Sequence, residues 1–493
     1  MSAETMSPEM APAASATIDA STAARNRLVI ALLLTSTFVV FLNEMIMSVA
    51  IPHLMVDLGV TATAAQWLTT AFLLTMAVVI PITGFLLQRM NTRPIYVLAM
   101  SIFSVGTLIC AVSPGLELLV FGRVIQAAGT AIMMPLLMTT VMTLVPPEGR
   151  GKTMGNISIV MSVAPAIGPT IAGLILTNLD WRWMFILVLP IALGALALGA
   201  RLMQNVTTPR FAPLDIISVI ISALAFGGIV YGLSSLGETS DAPLFPTWLP
   251  LAVGVVAMVI FVLRQLSLQK ADKALLDLRT FKSANYTLSV VTMGVAMMSL
   301  FGMIILLPLY LVNVLKIEVL NVGLLMLPGS LMMGLLGPVV GRLYDKHGTT
   351  RLLVPGTILV SLVMWSLTLV DQNTSVWAIL AGHITMCLGL ALVFTPLFTA
   401  SLSSLPMQLY SHGSAILGSV QQVAGAAGIA LFVALMTIQT AALTAGGADQ
   451  VTALAGGIRA GFLCGAIISV FAIVAGIFVK KPPADPAMAG MGH

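Results

Sequence analysis

The stretch GRLYDKHGTTR, residues 341–351, repeats in outline an earlier one, GFLLQRMNTR, residues 84–93. Each places a glycine at the end of a long apolar run and follows it with bases and a turn. Each also comes two apolar runs into a group of six. That spacing reads as an internal duplication: six spans, an inserted pair at about 212–267, and six more, with the basic segment 264–282 joining the pair to the second group. Parallel six-helix halves that face one another are a transporter design, with the substrate site at their interface.

Working outward from those two turns, the rest of the chain divides the same way. A bilayer span needs about 20 mostly apolar residues. Such runs recur at 28–55, 64–88, 94–113, 117–145, 153–178, 182–203, 212–236, 247–267, 283–312, 320–343, 352–370, 375–405, 413–440 and 457–479. The expected fold is therefore an all-α polytopic membrane protein of fourteen transmembrane helices. A chain that is 58% hydrophobic and only 8% charged has no interval polar enough for a soluble domain. The bases test the topology, because Lys and Arg collect on cytoplasmic loops. With both termini inside, 18 of the 22 bases fall on inner segments, leaving Arg182, Lys316 and Arg459 outside and Arg123 within a span.

The expected organisation is a disordered cytoplasmic tail at 1–27, an N-terminal six-helix bundle at 28–205, the inserted pair at 206–268, a basic cytoplasmic linker at 269–282, a C-terminal bundle at 283–480 and a second tail at 481–493. The first 24 residues carry no base and so lack the positive region of a signal peptide. Cys110, Cys387 and Cys464 lie far apart in apolar runs and read as small core residues, with no metal set among them. The scattered bases argue against a nucleic-acid partner. No phosphate-binding loop of the Gly-x-x-x-x-Gly-Lys-Ser/Thr type occurs, no cofactor is expected, and no Ser/His/Asp or Cys/His set points to an enzyme.

Three further stretches carry chemistry. Span 1 contains VVFLNEMIMSVAIPHL, residues 39–54, in which Asn43 and Glu44 interrupt a helix otherwise made for lipid. Span 4 contains GRVIQAAGTAIMMP, residues 122–135, with Arg123 and Gln126. A guanidinium near the centre of a span costs about 2.5–3.5 kcal/mol by insertion scales, so Arg123 either has a partner or cavity, or snorkels to the nearby interface. At 1.5 Å per residue, Glu44 lies ~24 Å along span 1 and Arg123 ~8 Å from the outer end of span 4, which puts them at similar depth and predicts a direct or water-bridged contact. Span 5 contains GNISIVMSVAPAIGPTIAG, residues 155–173, whose small residues allow close helix approach and whose proline supplies a kink.

These stretches resemble the major facilitator superfamily, and within it the fourteen-span drug:proton antiporters of the lincomycin-resistance type; the similarity covers all the spans. Gly84, Leu86, Arg89 and Arg93 match the family's loop signature, but Gln88 replaces its acid and Asn91 its second glycine. The second copy is better kept, in Gly341, Asp345, Lys346, Gly348 and Arg351. The resemblance implies a cytoplasmic latch at these positions. Gly155, Gly168, Pro169 and Gly173 keep the register of the antiporter signature and imply a hinge. DWRWMFILVLP (180–190) follows the family's opening of span 6, and SHGSAILGSVQQVAGAAG (411–428) its entry to span 13.

A carboxylate in low dielectric favours its neutral form, and a neighbouring cation favours the charged form. Proton and cationic cargo could therefore compete for Glu44. Together with the resemblance, this implies a proton-coupled multidrug antiporter of the bacterial inner membrane, acting as a monomer among membrane lipids. Glu44 and Arg123 are expected in proton coupling, and Asn43, Glu44, Gln126, Gln421 and Gln422 in substrate binding. Two alternatives stay open: an exporter or flippase of a lipid or endogenous metabolite on the same scaffold, and a membrane sensor that transports nothing.

Overall fold

The computed structural model of the chain describes residues 10–207, 209, 215–235 and 246–480, and the side chains of all of these except 10–21, 48, 49, 52, 62, 63, 165, 166, 169, 319 and 320. The expected tail at 481–493 lies outside the described residues. Fourteen long helices account for the fold: α1 Met10–Asp57, α2 Ala62–Arg89, α3 Thr92–Ala111, α4 Leu116–Leu144, α5 Arg150–Asn178, α6 Trp183–Leu202, α7 Ile216–Ser235, α8 Trp248–Leu268, α9 Ala284–Asn313, α10 Val319–His347, α11 Thr350–Leu367, α12 Val376–Ser403, α13 Tyr410–Ala445 and α14 Gln450–Phe478. Over their described residues, thirteen of these are long and apolar enough to cross a membrane. Helices satisfy their own backbone groups, the requirement that hydrocarbon imposes on any spanning segment.

The helix ends follow local chemistry. Ser283 accepts a hydrogen bond from the Tyr286 amide at 3.3 Å and opens α9, while Gly348, at φ 81°, closes α10 in a conformation open to glycine. Two ends differ from the expected ones. Helix α14 begins at Gln450, ahead of the expected 457, because the Asp449 carboxylate accepts from the Thr452 amide at 3.1 Å, which sets Arg459 further inside the helix. Helix α1 begins at Met10, so an alanine-rich helical segment covers much of the stretch expected as a disordered tail.

Helices α1–α6 form one bundle and α9–α14 the other. The bundles meet chiefly where α5 lies along α10 and α2 along α13, with α12 touching α5 and α13 touching α4. Among the described residues, the hydrogen bonds that cross this seam lie in the half nearest the basic turns. Thr139 pairs with Ser414 at 2.9 Å, Ser158 with Thr395 at 2.8 Å, and Gln88 Nε2 donates to the Gln408 carbonyl at 3.3 Å.

The inserted pair rides on this seam. Helix α7 lies against both α2 and α13, with Trp67 stacked on Tyr231 at 5.8 Å and Gly227 facing Leu74 and Val78. Helix α8 lies outside it, crossing closely at Gly228 and Gly254, and presents Val256, Val259 and Leu263 outward. Arg264 grips Asp215 through two bonds of 2.7 and 2.9 Å. The fully buried Gln265 donates to Ser218 and accepts from the Leu275 and Leu276 amides, which ties the pair to the linker that follows.

Candidate functional site

Glu44 stands on α1 within the N-terminal bundle. Other acidic residues of the helices sit near an end or before the apolar run: Asp19, Asp57, Glu117 and Asp345. Glu44 alone is deep. Its side chain is half-buried, whereas Asn43 beside it is 2% exposed. One residue of offset on a helix is ~100° of rotation. Here that rotation turns the Asn43 amide into the bundle, where its Oδ1 has no partner, and leaves Glu44 on a different face of the helix. Asn43, expected to contact substrate, offers almost no surface to do so.

Arg123 does not snorkel; it is 2% exposed. Its guanidinium lies 4.0 Å from the centre of the Phe72 ring, donates to Gln126 Oε1 at 2.7 Å and reaches toward the Leu68 carbonyl at 3.5 Å. Among the described residues it makes no ion pair with Glu44, although the two charges lie within electrostatic reach. Of the expected direct or water-bridged contact, the direct form is not made, because Gln126 and Phe72 occupy the guanidinium. Gln126 is itself fully buried, and its Nε2 donates to Thr107 at 2.8 Å. Its amide is committed at both ends, so it braces Arg123 and does not face a ligand.

This brace has a measurable weight. Arg123→Leu leaves the Gln126 and Leu68 oxygens and Glu44 without their cation, and is expected to cost roughly 2–5 kcal/mol. Arg123→Lys is expected to fall between, since an ammonium cannot reproduce the fork or the stacking. Thermal unfolding of the purified proteins in detergent checks the order; a leucine variant that unfolds at the parental temperature removes the brace from the argument.

Gln421 and Gln422 lie on α13, both half-buried. The seam hydroxyls Thr139, Ser158, Thr395 and Ser414 were not legible as a group, since single Ser and Thr residues in apolar runs have no spacing signature.

At the basic end, Asp345 accepts from the Gly151 and Lys152 amides at 2.8 and 2.9 Å and so caps α5 across the seam. A carboxylate at a helix N-terminus meets both free amides and the favourable end of the helix dipole. Arg150, which sequence reasoning passed over, completes the joint. It donates to the Met142 and Val145 carbonyls, reaches Ser403 on α12 at 3.5 Å and lies 5.6 Å from the Tyr410 ring centre on α13. Lys346 and Arg351 are exposed. Arg93 bonds the Ala200 carbonyl and Arg89 lies over Phe85, both within the N-terminal bundle.

The expected hinge glycines divide by what they touch. Gly155 meets Gly337 of α10 backbone to backbone, and Gly168 meets Met45 of α1. Gly173 has open space beside it, so close helix contact is not its role. The Pro169 side chain lies outside the described residues. Gly84 touches Ala415 and His412 at the second seam.

Two helical bundles that meet along a seam, with a deep carboxylate and a buried arginine brace, have the architecture of a membrane transporter. The chain belongs to the Major Facilitator Superfamily, whose family model it matches over residues 33–429. It is 38% identical over 457 residues to the MFS-type transporter YcnB of Bacillus subtilis, covering 92% of this chain and 95% of that one. It is 37% identical over 458 residues to the lincomycin resistance protein LmrB of Listeria monocytogenes, covering 92% and 96%. In fold it resembles the crystal structure of the human organic anion transporter MFSD10 (TETRAN), with TM-score 0.66 and 13% identity, covering 92% of this chain and 99% of that one. The protein is thus a transporter and not an enzyme, and a multi-pass protein of the cell membrane.

Proposed function

We propose that this transporter is a proton-coupled efflux antiporter that exports amphipathic, often cationic drugs or antibiotics by alternating access. The observation that carries the reading is Glu44, among the described residues the one acidic side chain deep in the helices, half-buried and within reach of the field of Arg123. A charge left bare at that depth is costly, so the site favours being served either by a proton or by cargo. Protonation from outside displaces the drug, and loss of the proton toward the cytoplasm readies the site for the next load. The basic turns make their end cytoplasmic by the bias of Lys and Arg, so the arrangement described is closed on that side. The similarity to a lincomycin resistance protein supports a drug as cargo.

The test is a coupled flux. Purified protein in vesicles with an imposed pH gradient is expected to discharge that gradient when a lipophilic monocation or lincomycin is added, and to move the compound uphill while the gradient lasts. A panel of such compounds that elicits no drug-dependent proton movement, while the protein still moves them downhill, overturns the coupling. Movement of lipid alone selects the flippase reading.

A further inference from the structure

The turn between α2 and α3 and the end of α6 enclose an open-sided cavity of about 660 Å³ at the basic end of the N-terminal bundle. Its two ends differ in chemistry. Arg93 and Asn205 stand where α3 begins and the chain leaves α6, whereas Pro94, Val97 and Leu98 line the cavity along α3 and Ser101 closes it, ~12 Å further into the span. Leu98, Val105 and Leu108 are 37%, 50% and 48% exposed, and they stand with Pro94 and Ser101 at helical spacing on one face of α3. The apolar wall of the cavity therefore continues into a face suited to acyl chains.

The polar end suits an anion. Arg93 is fixed from two sides: its amide donates to Asn205 Oδ1 at 3.2 Å, and its Nη2 donates to the Ala200 carbonyl in the last turn of α6. Among the described residues its Nε and Nη1 make no hydrogen bond, and it joins no ion pair. Arg93 and Asn205 are both exposed, so these donors and the Asn205 Nδ2 can meet a ligand in the cavity they line. Two more exposed bases flank it in the chain, Arg89 just before Met90 of the cavity wall and Arg201 just after Ala200. No acidic residue occurs in 58–116 or 181–214, the two stretches that build the site. A guanidinium binds phosphate oxygens through charge-assisted hydrogen bonds, and clustered bases at a membrane surface favour anionic lipid. A zwitterionic headgroup would bring an ammonium for which neither stretch has a carboxylate, and a soluble phosphate would leave the apolar wall uncovered.

We propose that this cavity binds the phosphate headgroup of an anionic glycerophospholipid, with Arg93 and Asn205 on the phosphate and one acyl chain along Leu98, Val105 and Leu108 of α3. The lipid then bridges α3 and the end of α6, and Arg93, a base of the first loop signature, serves a ligand instead of reaching the other bundle. This inference rests on the fold and is independent of proton coupling.

Native mass spectrometry of the purified full-length protein in detergent tests it without any transport assay, by titrating palmitoyl-oleoyl phosphatidylglycerol or the matching phosphatidylcholine and reading the affinity of the first lipid bound. The parental protein is expected to prefer phosphatidylglycerol roughly tenfold, the scale of one charge-assisted bond, and Arg93→Ala is expected to remove that preference. Arg342→Ala, which takes away an exposed base of α10 at the same end but outside the cavity, is expected to keep it. Equal affinity for the two lipids, a preference that survives Arg93→Ala, or the same loss from Arg342→Ala overturns the proposal. So does glycerol phosphate that displaces phosphatidylglycerol at equal concentration, which would make the site one for a soluble phosphate. If Arg93→Ala is not recovered folded, Val97→Trp, which fills the cavity and leaves the guanidinium in place, carries the same test: loss of the preference supports the proposal and a parental preference refutes it.

Discussion

Glu44→Gln is expected to abolish uphill drug export by at least about 100-fold, equivalent to ~2.7 kcal/mol of lost coupling, while leaving the protein folded and able to exchange drug down its gradient. Glutamine matches glutamate in volume and keeps the hydrogen-bonding oxygen, so the neighbours on α1 and α4 need not move. What it cannot do is exchange a proton. If Glu44 is the group that proton and cargo share, the variant is frozen as a mimic of the protonated state: the bundles still rock, but no proton is carried and the gradient does no work. Glu44→Asp retracts the carboxylate by one methylene and is expected to give reduced but coupled export. Export and proton movement recorded together in the same vesicles distinguish these cases from simple loss of protein. A Glu44→Gln protein that still exchanges protons for drug at the normal ratio moves the coupling to another group.

The sequence was most informative where a single physical constraint dominates. Hydrocarbon forbids unpaired backbone groups, so span number and the two-bundle division follow from apolar runs and from where the bases fall. Asp345 stood out through the loop signature that the second copy keeps, although the helix whose amides it caps was not legible. Those amides, Gly151 and Lys152 in the first turn of α5, lie almost 200 residues away, and no local pattern names a partner at that distance. The same limit applied to Arg123. Its burial was foreseeable from its cost, but depth alone pointed to Glu44, while the bonds went to Gln126 and the Phe72 face. Depth fixes one coordinate of a side chain. The rotation of the helix fixes the other, and a helix apolar on nearly every side gives little sign of its rotation. Asp277 was hidden for a different reason. Among the bases of the linker nothing marks it as buried, and only the fold takes it out of solvent, bonded to Arg279.

The antiporter signature of span 5 and the second loop signature were read as separate motifs, yet they are two sides of one joint. Gly151 and Gly155 on α5 meet the backbone of Gly341 and Gly337 on α10, with Asp345 and Tyr344 beside Gly151 and Ser158 beside Gly337. A Cβ at Gly341 would lie 2.1 Å from the Gly151 carbonyl oxygen, and one at Gly155 would lie 2.2 Å from that of Gly337. Backbone cannot yield at such distances as a flexible side chain can, so the helices must part. Gly155→Leu and Gly341→Leu are each expected to raise the energy of the arrangement closed at the basic end by about 1–3 kcal/mol, the usual cost of overpacking, and so to shift its population against the open one by roughly 5- to 150-fold. Because export needs both arrangements in turn, turnover is expected to fall by a similar factor. The strain belongs to only one of the two arrangements, so a glycine variant should stay folded in the other, with a Thr139→Cys and Ser414→Cys pair placed across the seam cross-linking slowly. Gly173→Leu is the internal control: it lies on the same helix and in the same signature, but open space stands beside it. Full transport by Gly155→Leu or Gly341→Leu would mean that α5 and α10 need not come this close during the cycle. Equal damage from Gly173→Leu would mean that the glycines serve the helix itself and not the joint.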